Sequence, residues 1–146
     1  MLDSSPIAAG LIFRRRAGGH MRHVLTVGRN YTRKEITKIL GGSTQNYLPH
    51  KNGRVLYGCF RTDLNPGAPS EILPGNTDDI RLWAEIFGSQ NEAVPIFLKK
   101  QKNCWQYVGL WRCISKSEKA DDIQERKLEV GRGDISMVLK LEKMAS

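Results

Sequence analysis

Long apolar runs are missing from this 146-residue chain, and their absence excludes one class of protein. No apolar run approaches the roughly 18 residues that a membrane-spanning helix needs. The first apolar stretch, residues 6–13, comes before its arginines, whereas in a secretory signal the charges come first. The sequence therefore predicts a soluble, cytoplasmic protein that has no membrane partner.

Cysteine and histidine are also scarce, with three of each. The cysteines are odd in number and lack metal-ligand spacing, so we expect reduced, buried thiols at Cys59, Cys104 and Cys113. No zinc-protease, nucleophile-elbow or phosphate-loop motif occurs in the sequence. We therefore expect no cofactor, no metal and no catalytic residue, and the chain is predicted to be a binding module rather than an enzyme.

Positive charge is plentiful and unevenly distributed. Residues 14–61 contain eleven Lys and Arg but one acid, Glu35, while the whole chain has a formal net charge of +8. A segregated positive field favours a polyanionic partner. The sequence therefore predicts nucleic-acid binding, with RNA left open beside DNA because charge alone does not separate them.

Local signals predict two main helices. Thr32 and Glu35 form the Thr-x-x-Glu spacing of a capping box before an apolar face, and Gly41 follows as a stop. Thr77 precedes a second apolar stripe that ends at Gly88. Residues 54–60 are predicted to be a central strand, residues 104–115 one bent strand or two, and residues 116–127 a solvated loop or short helix.

These elements predict an α+β fold in a single domain, with a curved mixed β-sheet or partial barrel of five or six strands. Residues 1–22 are expected to form a basic N-terminal arm or short strand, and residues 23–146 a single DNA-binding domain.

Several segments together resemble one family: YTRKEI, LGGSTQNYLPHKNGRVLYGCF, LNPGAPSEILPG, WAEIF, VPIFLKK and WQYVGLWR. Over residues 29–111 the chain resembles the DNA sulfur-binding domains, the modules that bring McrA-like type IV restriction endonucleases to phosphorothioate-modified DNA. The resemblance implies double-stranded phosphorothioate DNA as partner, a role in bacterial defence and a nucleoid-associated location. It also implies an HNH nuclease, fused or separate, as in relatives.

The resemblance further implies an apolar pocket for the sulfur, ringed by residues that hold the DNA. The pocket is assigned to Tyr31, Asn65, Pro66, Gly67, Ala68 and Pro69. DNA contacts, including readout of neighbouring bases, are assigned to Arg29, Thr32, Arg33, Lys34, Ser43, Thr44, Gln45, Asn46, Tyr47, His50, Lys51, Asn52, Arg61, Lys100 and Lys102.

The stiff loop LNPGAPS, residues 64–70, gives the pocket a physical basis. An ordinary phosphate oxygen pressed against apolar atoms without hydrogen bonds costs roughly a few kcal/mol, whereas the larger and softer sulfur is less penalised. Two prolines fix the loop in advance, so that little entropy is lost on binding. The same prolines are also compatible with a simple stiff turn between strands.

Two other functions stay open at this stage. A reader of modified bases, such as methylated cytosine, would need a deep aromatic cavity for a flipped base. A nuclease with an unrecognised metal site would cleave DNA in the presence of magnesium or manganese. The three tryptophans are expected in the core rather than as stacking platforms, because Trp83 belongs to a helical apolar stripe.

Overall fold

The computed structural model of the chain describes residues 12–15 and 21–144. Strand β1 (Ile12–Arg15) pairs antiparallel with β2 (Met21–Leu25), which gives part of the predicted arm a strand conformation. The rest of that arm, residues 1–11 and 16–20, lies outside the described residues.

A six-stranded mixed sheet forms the centre of the domain. Its strands are β3 (Asn30–Tyr31), β6 (Gly58–Arg61), β7 (Glu71–Ile72), β8 (Val94–Gln101), β9 (Cys104–Ser117) and β10 (Val138–Lys143). The order is β6-β8-β9-β10-β7, with β3 pairing onto β9. The β6–β8 pair is parallel and the other pairs are antiparallel. The predicted α+β domain with a mixed sheet is confirmed, and the described strands do not close into a barrel.

Strand β9 is continuous over 14 residues. Its first part pairs with β8, from Gln101 opposite Cys104 to Val94 opposite Trp111. Its second part pairs with β10. Gly109, where the sequence predicted a bend, has a φ of +101°, which a side chain would disfavour. One bent strand therefore connects the two halves of the sheet.

The two predicted helices are present and begin at the expected residues. In α1 (Arg33–Leu40), the Thr32 side chain accepts from the Glu35 N–H, and the Glu35 carboxylate accepts from the Thr32 N–H, completing the capping box. In α2 (Asp78–Ser89), Thr77 caps the first turn. A third helix, α3 (Ala120–Val130), begins within the stretch predicted as a loop or short helix, residues 116–127, and ends three residues beyond it.

The prediction of one central strand over residues 54–60 is wrong. A short hairpin of β4 (His50–Lys51) and β5 (Arg54–Val55) takes the start of this stretch, and β6 takes the end, at an edge of the main sheet. The stretch is apolar on both faces because both faces are covered: Phe60 packs in one core cluster and Cys59 in another.

Two large apolar clusters stabilise the domain on opposite sides of β6. The first lies between α2 and the sheet and includes Phe60, Phe87 and Leu139. The second lies under α1 and includes Ile36, Phe97 and Tyr107. The three cysteines are free thiols; Cys59 and Cys113 are buried as expected, whereas Cys104 is only half-buried. Within the described residues no helix combines the length and apolar character that crossing a membrane requires.

Candidate nucleic-acid interface

A cavity of about 860 Å³ enters the domain between the C-terminal end of β6, the start of α2 and the β8–β9 turn. Its lining includes side chains that are almost fully buried, so that it extends into the interior rather than resting on the surface. These floor residues are Leu48, Cys59, Phe60, Ile72 and Leu73. Burial raises the pKa of the Cys59 thiol to about 12, so this side chain stays neutral and acts as an apolar group.

Eight of the residues predicted from the sequence to bind DNA or sulfur line this cavity. They are Arg33, Thr44, Gln45, Asn46, Tyr47, Arg61, Asn65 and Lys102. Half of them, Thr44 to Tyr47, come from the polar loop after α1, residues 41–49. The structure therefore brings together a large part of the predicted site, although around a cavity that the sequence did not reveal.

Arg33 is the residue that organises the polar loop. It is 9% exposed, and its Nη2 donates to the carbonyl oxygens of Ser43 and Asn46, each at 2.9 Å. Its guanidinium lies 5.3 Å from the ring centroid of Trp105. Its backbone N–H donates to Asn103 Oδ1 at 3.0 Å. Arg33, assigned from the sequence to DNA contacts, thus holds the loop with its guanidinium and the β8–β9 turn with its backbone N–H.

Aromatic side chains form the side of the cavity next to α2. The Tyr47 hydroxyl donates to the Ile80 carbonyl oxygen at 2.7 Å, and its ring packs tilted against Phe60. Burial, and secondarily the Asp79 carboxylate, raise the pKa of Tyr47, so the hydroxyl remains a donor. Trp83 lines the cavity while it also packs against the first core cluster. The prediction that Trp83 belongs to the core therefore describes half of its role.

Asn65 forms the opposite wall. It is 7% exposed, its Nδ2 donates to the Arg61 carbonyl oxygen at 3.0 Å, and its Oδ1 accepts from the Leu73 N–H at 2.8 Å. One amide therefore joins the end of β6 to the strand segment after the proline loop. Its satisfied hydrogen bonds fix the wall before any ligand arrives.

The other residues of the predicted sulfur pocket lie outside the cavity lining. Pro66 and Gly67 are exposed, Pro69 is half-buried, and Ala68 packs against the first core cluster. Tyr31 is buried under α1, where its hydroxyl accepts from the Thr26 N–H at 2.9 Å. Of the six assigned residues, the structure places Asn65 in the cavity wall.

The remaining residues of the predicted DNA-binding set do not line the cavity: Arg29, Thr32, Lys34, Ser43, His50, Lys51, Asn52 and Lys100. Four of these, Thr32, Ser43, His50 and Arg29, have partners within the domain. Thr32 caps α1, the Ser43 carbonyl accepts from Arg33, and His50 stacks on Trp83. Lys34, Lys51, Asn52 and Lys100 are exposed, and Arg29 lies over the Tyr31 ring at 5.5 Å.

Arg132 is a cavity residue that the sequence reasoning missed. Its Nη1 donates to the carbonyl oxygens of Leu64 and Leu73 at 2.8 and 2.9 Å, and its Nε donates to Asp134 Oδ1 at 3.0 Å. The Arg132 side chain is 11% exposed. Its guanidinium lowers the pKa of the Asp134 carboxyl, which therefore stays ionised. No local pattern marks this residue as part of the cavity, because the two carbonyl groups that it binds lie about sixty residues earlier in the chain.

Cations stand around the cavity. Lys99 lies 5.8 Å from the Trp105 ring centroid, and Lys102 is exposed on the β8–β9 turn. Arg61 is exposed and paired with Asp63. The side chains of Asp79 and Asp134 supply negative charge on the α2 side. The part of the chain that the structure describes contains no group of three His, Cys, Asp or Glu that could hold a metal ion.

Comparisons with known proteins identify a family and a solved structure with a similar fold. A family model described as "Domain of unknown function (DUF6697)" matches residues 30–130, and no curated protein matches the chain. A solved structure, the SUVH5 SRA domain in complex with hemi-methylated CG DNA, is similar with a TM-score of 0.53. The sequences are 13% identical, and the match covers 82% of this chain and 89% of the SUVH5 chain. The chain therefore shares a fold with a domain that was solved in complex with hemi-methylated CG DNA, whereas phosphorothioate binding and a partner nuclease stay predictions.

Proposed function

Because the chain belongs to the family described as Domain of unknown function (DUF6697), a description that assigns no activity, we propose a function from the cavity itself. The protein binds double-stranded DNA and reads a modified base that has rotated out of the double helix. This was the alternative function at the sequence level, and it has more structural support than sulfur recognition.

The cavity is the observation that carries this proposal. A base that is read outside the duplex needs a pocket with aromatic or apolar walls for its faces and polar groups for its edge. The cavity has Tyr47, Phe60 and Trp83 among its lining, and it has buried apolar residues at its floor. Asp79 and the amide side chains of the polar loop supply hydrogen-bonding groups. A shallow phosphate-binding surface would require none of this depth.

The charge distribution supports a duplex partner. Lys99, Lys102 and Arg61 stand around the cavity, and the sequence carries eleven of its 23 Lys and Arg within residues 14–61. Contacts to phosphates supply most of the sequence-independent affinity for DNA and set its register. A duplex held by these cations would bring one nucleotide over the cavity.

The shared fold adds support of a different kind. The SUVH5 SRA domain was solved with hemi-methylated CG DNA, so this fold can hold a modified duplex. We extend that property to the present chain as a proposal, together with binding in the absence of catalysis. Incubating modified DNA with the protein and magnesium or manganese is expected to leave the DNA intact.

Phosphorothioate recognition is the second candidate. Pro66 and Gly67 are exposed directly after Asn65, which lines the cavity, so a backbone phosphate beside a flipped base could reach the proline loop. A sulfur at that phosphate would contact apolar atoms that disfavour oxygen.

Fluorescence anisotropy with duplexes of one sequence separates these functions. The set contains an unmodified duplex, a hemi-methylated CG duplex, a duplex with one phosphorothioate linkage and a double-stranded RNA. We expect the methylated duplex to bind at least about tenfold more tightly than the unmodified one, which is about 1.4 kcal/mol. A preference confined to the phosphorothioate duplex would establish the second candidate, and equal binding of all the duplexes would refute both.

Base rotation has its own measurement. A 2-aminopurine placed opposite or beside the modified base gains fluorescence when stacking is lost. We expect this gain with the methylated duplex and the wild-type protein. Tight binding without any gain would contradict reading of a flipped base.

A further inference from the structure

We propose that the base read by this protein carries a bulky, hydroxyl-rich substituent, of the size of a sugar, rather than a methyl group alone. The proposal rests on the proposed function, because it concerns what fills the same cavity. It follows from the size of the cavity and from the position of its polar side chains.

The cavity, which is open to solvent at its mouth, offers more room than a methylated pyrimidine fills. If each non-hydrogen atom is given the roughly 30 Å³ that a water molecule occupies in the liquid, a methylated cytosine with about nine such atoms needs roughly 270 Å³. The cavity has a volume of about 860 Å³. A cytosine that carries a hexosyl-oxymethyl group has about 21 non-hydrogen atoms and needs roughly 630 Å³ on the same scale. Pockets of this size usually enclose a ligand larger than one base.

Five polar residues of the cavity lining come from two neighbouring segments, the loop after α1 and the β8–β9 turn. We call this set the polar shelf, and it consists of Thr44, Gln45, Asn46, Lys102 and Asn103. Its two segments are held next to each other by one residue. The Arg33 side chain binds the Ser43 and Asn46 carbonyls, and the Arg33 N–H binds Asn103 Oδ1. The shelf is therefore built in advance of binding.

The shelf has hydrogen-bonding capacity to spare. Within the described residues, the side chains of Thr44, Gln45 and Lys102 form no hydrogen bond or ion pair. Amide and hydroxyl groups both donate and accept, which matches the hydroxyl groups of a sugar. The floor has the opposite character, because Leu48, Phe60 and Ile72 are apolar and the Asn65 amide is already bonded at both ends. A flat base suits the floor and the aromatic side, and a hydroxyl-rich group suits the shelf.

The shelf should favour a substituent that carries hydroxyl groups. Thr44, Gln45 and Lys102 are exposed, so they keep their water beside a methyl group, whereas they gain direct hydrogen bonds beside a hydroxyl-rich group. A methyl group would leave most of the cavity to solvent. The polar shelf thus predicts a preference for the larger substituent over the methyl group.

Anisotropy with four duplexes of one sequence tests the inference. The central base is cytosine, 5-methylcytosine, 5-(glucosyloxymethyl)cytosine or a cytosine bearing an apolar 5-substituent of similar bulk. We expect the glucosylated duplex to bind about tenfold more tightly than the methylated one and than the bulky apolar one. Methylated DNA that binds as tightly as glucosylated DNA would overturn the inference and leave the proposed function standing. Equal binding of all four would refute the proposed function as well.

A matched pair of variants locates the substituent. Gln45→Ala removes a shelf side chain, and Gln101→Ala removes an exposed glutamine at the end of β8 that does not line the cavity. We expect Gln45→Ala to weaken binding of the glucosylated duplex about fivefold and binding of the methylated duplex less than twofold. Gln101→Ala should bind both duplexes as the wild type does. An equal loss on both duplexes, or no loss on either, would contradict a substituent at the shelf.

Discussion

His50 and Trp83 stack face to face, with ring centroids 3.4 Å apart and planes inclined by 10°. His50 does not line the cavity, and its Nδ1 lies 3.0 Å from the Leu48 carbonyl oxygen. Trp83 does line the cavity. The hairpin of β4 and β5 therefore supports, from behind, an indole ring of the candidate base-binding site.

The stack predicts a role for His50 that does not depend on contact with DNA. His50→Ala removes the support of the indole, whereas His50→Phe keeps an aromatic ring in the same place. We expect His50→Ala to weaken binding of a base-modified duplex about fivefold and to lower the free energy of unfolding by about 1 kcal/mol. His50→Phe should restore most of the affinity in the same anisotropy assay. Loss of affinity in both variants would instead assign the effect to the histidine nitrogens.

Arg33 is predicted to act mainly as a structural residue, although the sequence assigned it to DNA binding. Arg33→Met removes the donors to the Ser43 and Asn46 carbonyls. Hydrogen bonds to charged groups are strong, so we expect a loss of about 3 kcal/mol in the free energy of unfolding by urea. Arg29→Met is the control, since Arg29 is exposed and lies over the Tyr31 ring, and it should cost less than about 1 kcal/mol. A fully stable Arg33→Met protein with weakened DNA binding would restore the DNA-binding role.

Two lysines on one hairpin are predicted to differ in their contact with DNA. Lys102 lines the cavity and Lys100 does not, although both are exposed and both were assigned to DNA binding from the sequence. We expect Lys102→Ala to reduce the slope of log affinity against log salt by about 0.9, the effect of one lost phosphate contact. Lys100→Ala should leave the slope within error. If the two variants change the slope equally, the hairpin contacts DNA through its general charge.

Local signals predicted the elements better than they predicted their arrangement. The Thr32–Glu35 capping box and the Thr77 cap lie within a few residues of the helices that they begin, so the sequence alone places them. The sequence also assigned Ser43 to Tyr47, in the polar loop after α1, to DNA contacts, and four of these five residues line the cavity. The cavity itself depends on the non-local pairing of β7 with β10, which brings the Arg132 segment beside the proline loop. No local pattern carries that information.

The proline loop shows the same limit at the level of single residues. Its sequence predicted a pocket of Pro66 and its neighbours, and the structure directs the loop's one buried polar side chain, Asn65, into the cavity wall. Trp83 was assigned to the core because a helical apolar stripe does not distinguish a residue that packs inside from one that also borders a cavity. The residue types of the site could be predicted, and the depth of the site could not.

Arg132 is predicted to make the stability of the cavity wall depend on pH through Asp134. Its guanidinium lowers the pKa of the Asp134 carboxyl below its usual value of 3.8. A carboxyl whose pKa is lower in the folded state than in the unfolded state stabilises the protein when the pH lies above the unfolded-state pKa. This stabilisation is lost as the pH falls through the folded-state pKa. Asp134 is half exposed, so we expect a modest effect, screened by salt.

Arg132→Gln removes this charge pairing together with the donors to the Leu64 and Leu73 carbonyls. The variant should be less stable than the wild type at neutral pH, and the difference should narrow as the pH falls from about 3.8 through the lower pKa of Asp134 in the folded wild type, below which the carboxyl is protonated in both proteins. The part of the difference that persists at low pH measures the bonds to the two carbonyls.

Asp134→Asn gives the complementary measurement, since it retains those bonds and should remove the pH-dependent part alone. Urea unfolding at a series of pH values measures both. A stability difference between wild type and Arg132→Gln that stays constant from pH 7 to pH 3 would show that Arg132 supports the wall through its carbonyl bonds and that the ion pair with Asp134 contributes nothing.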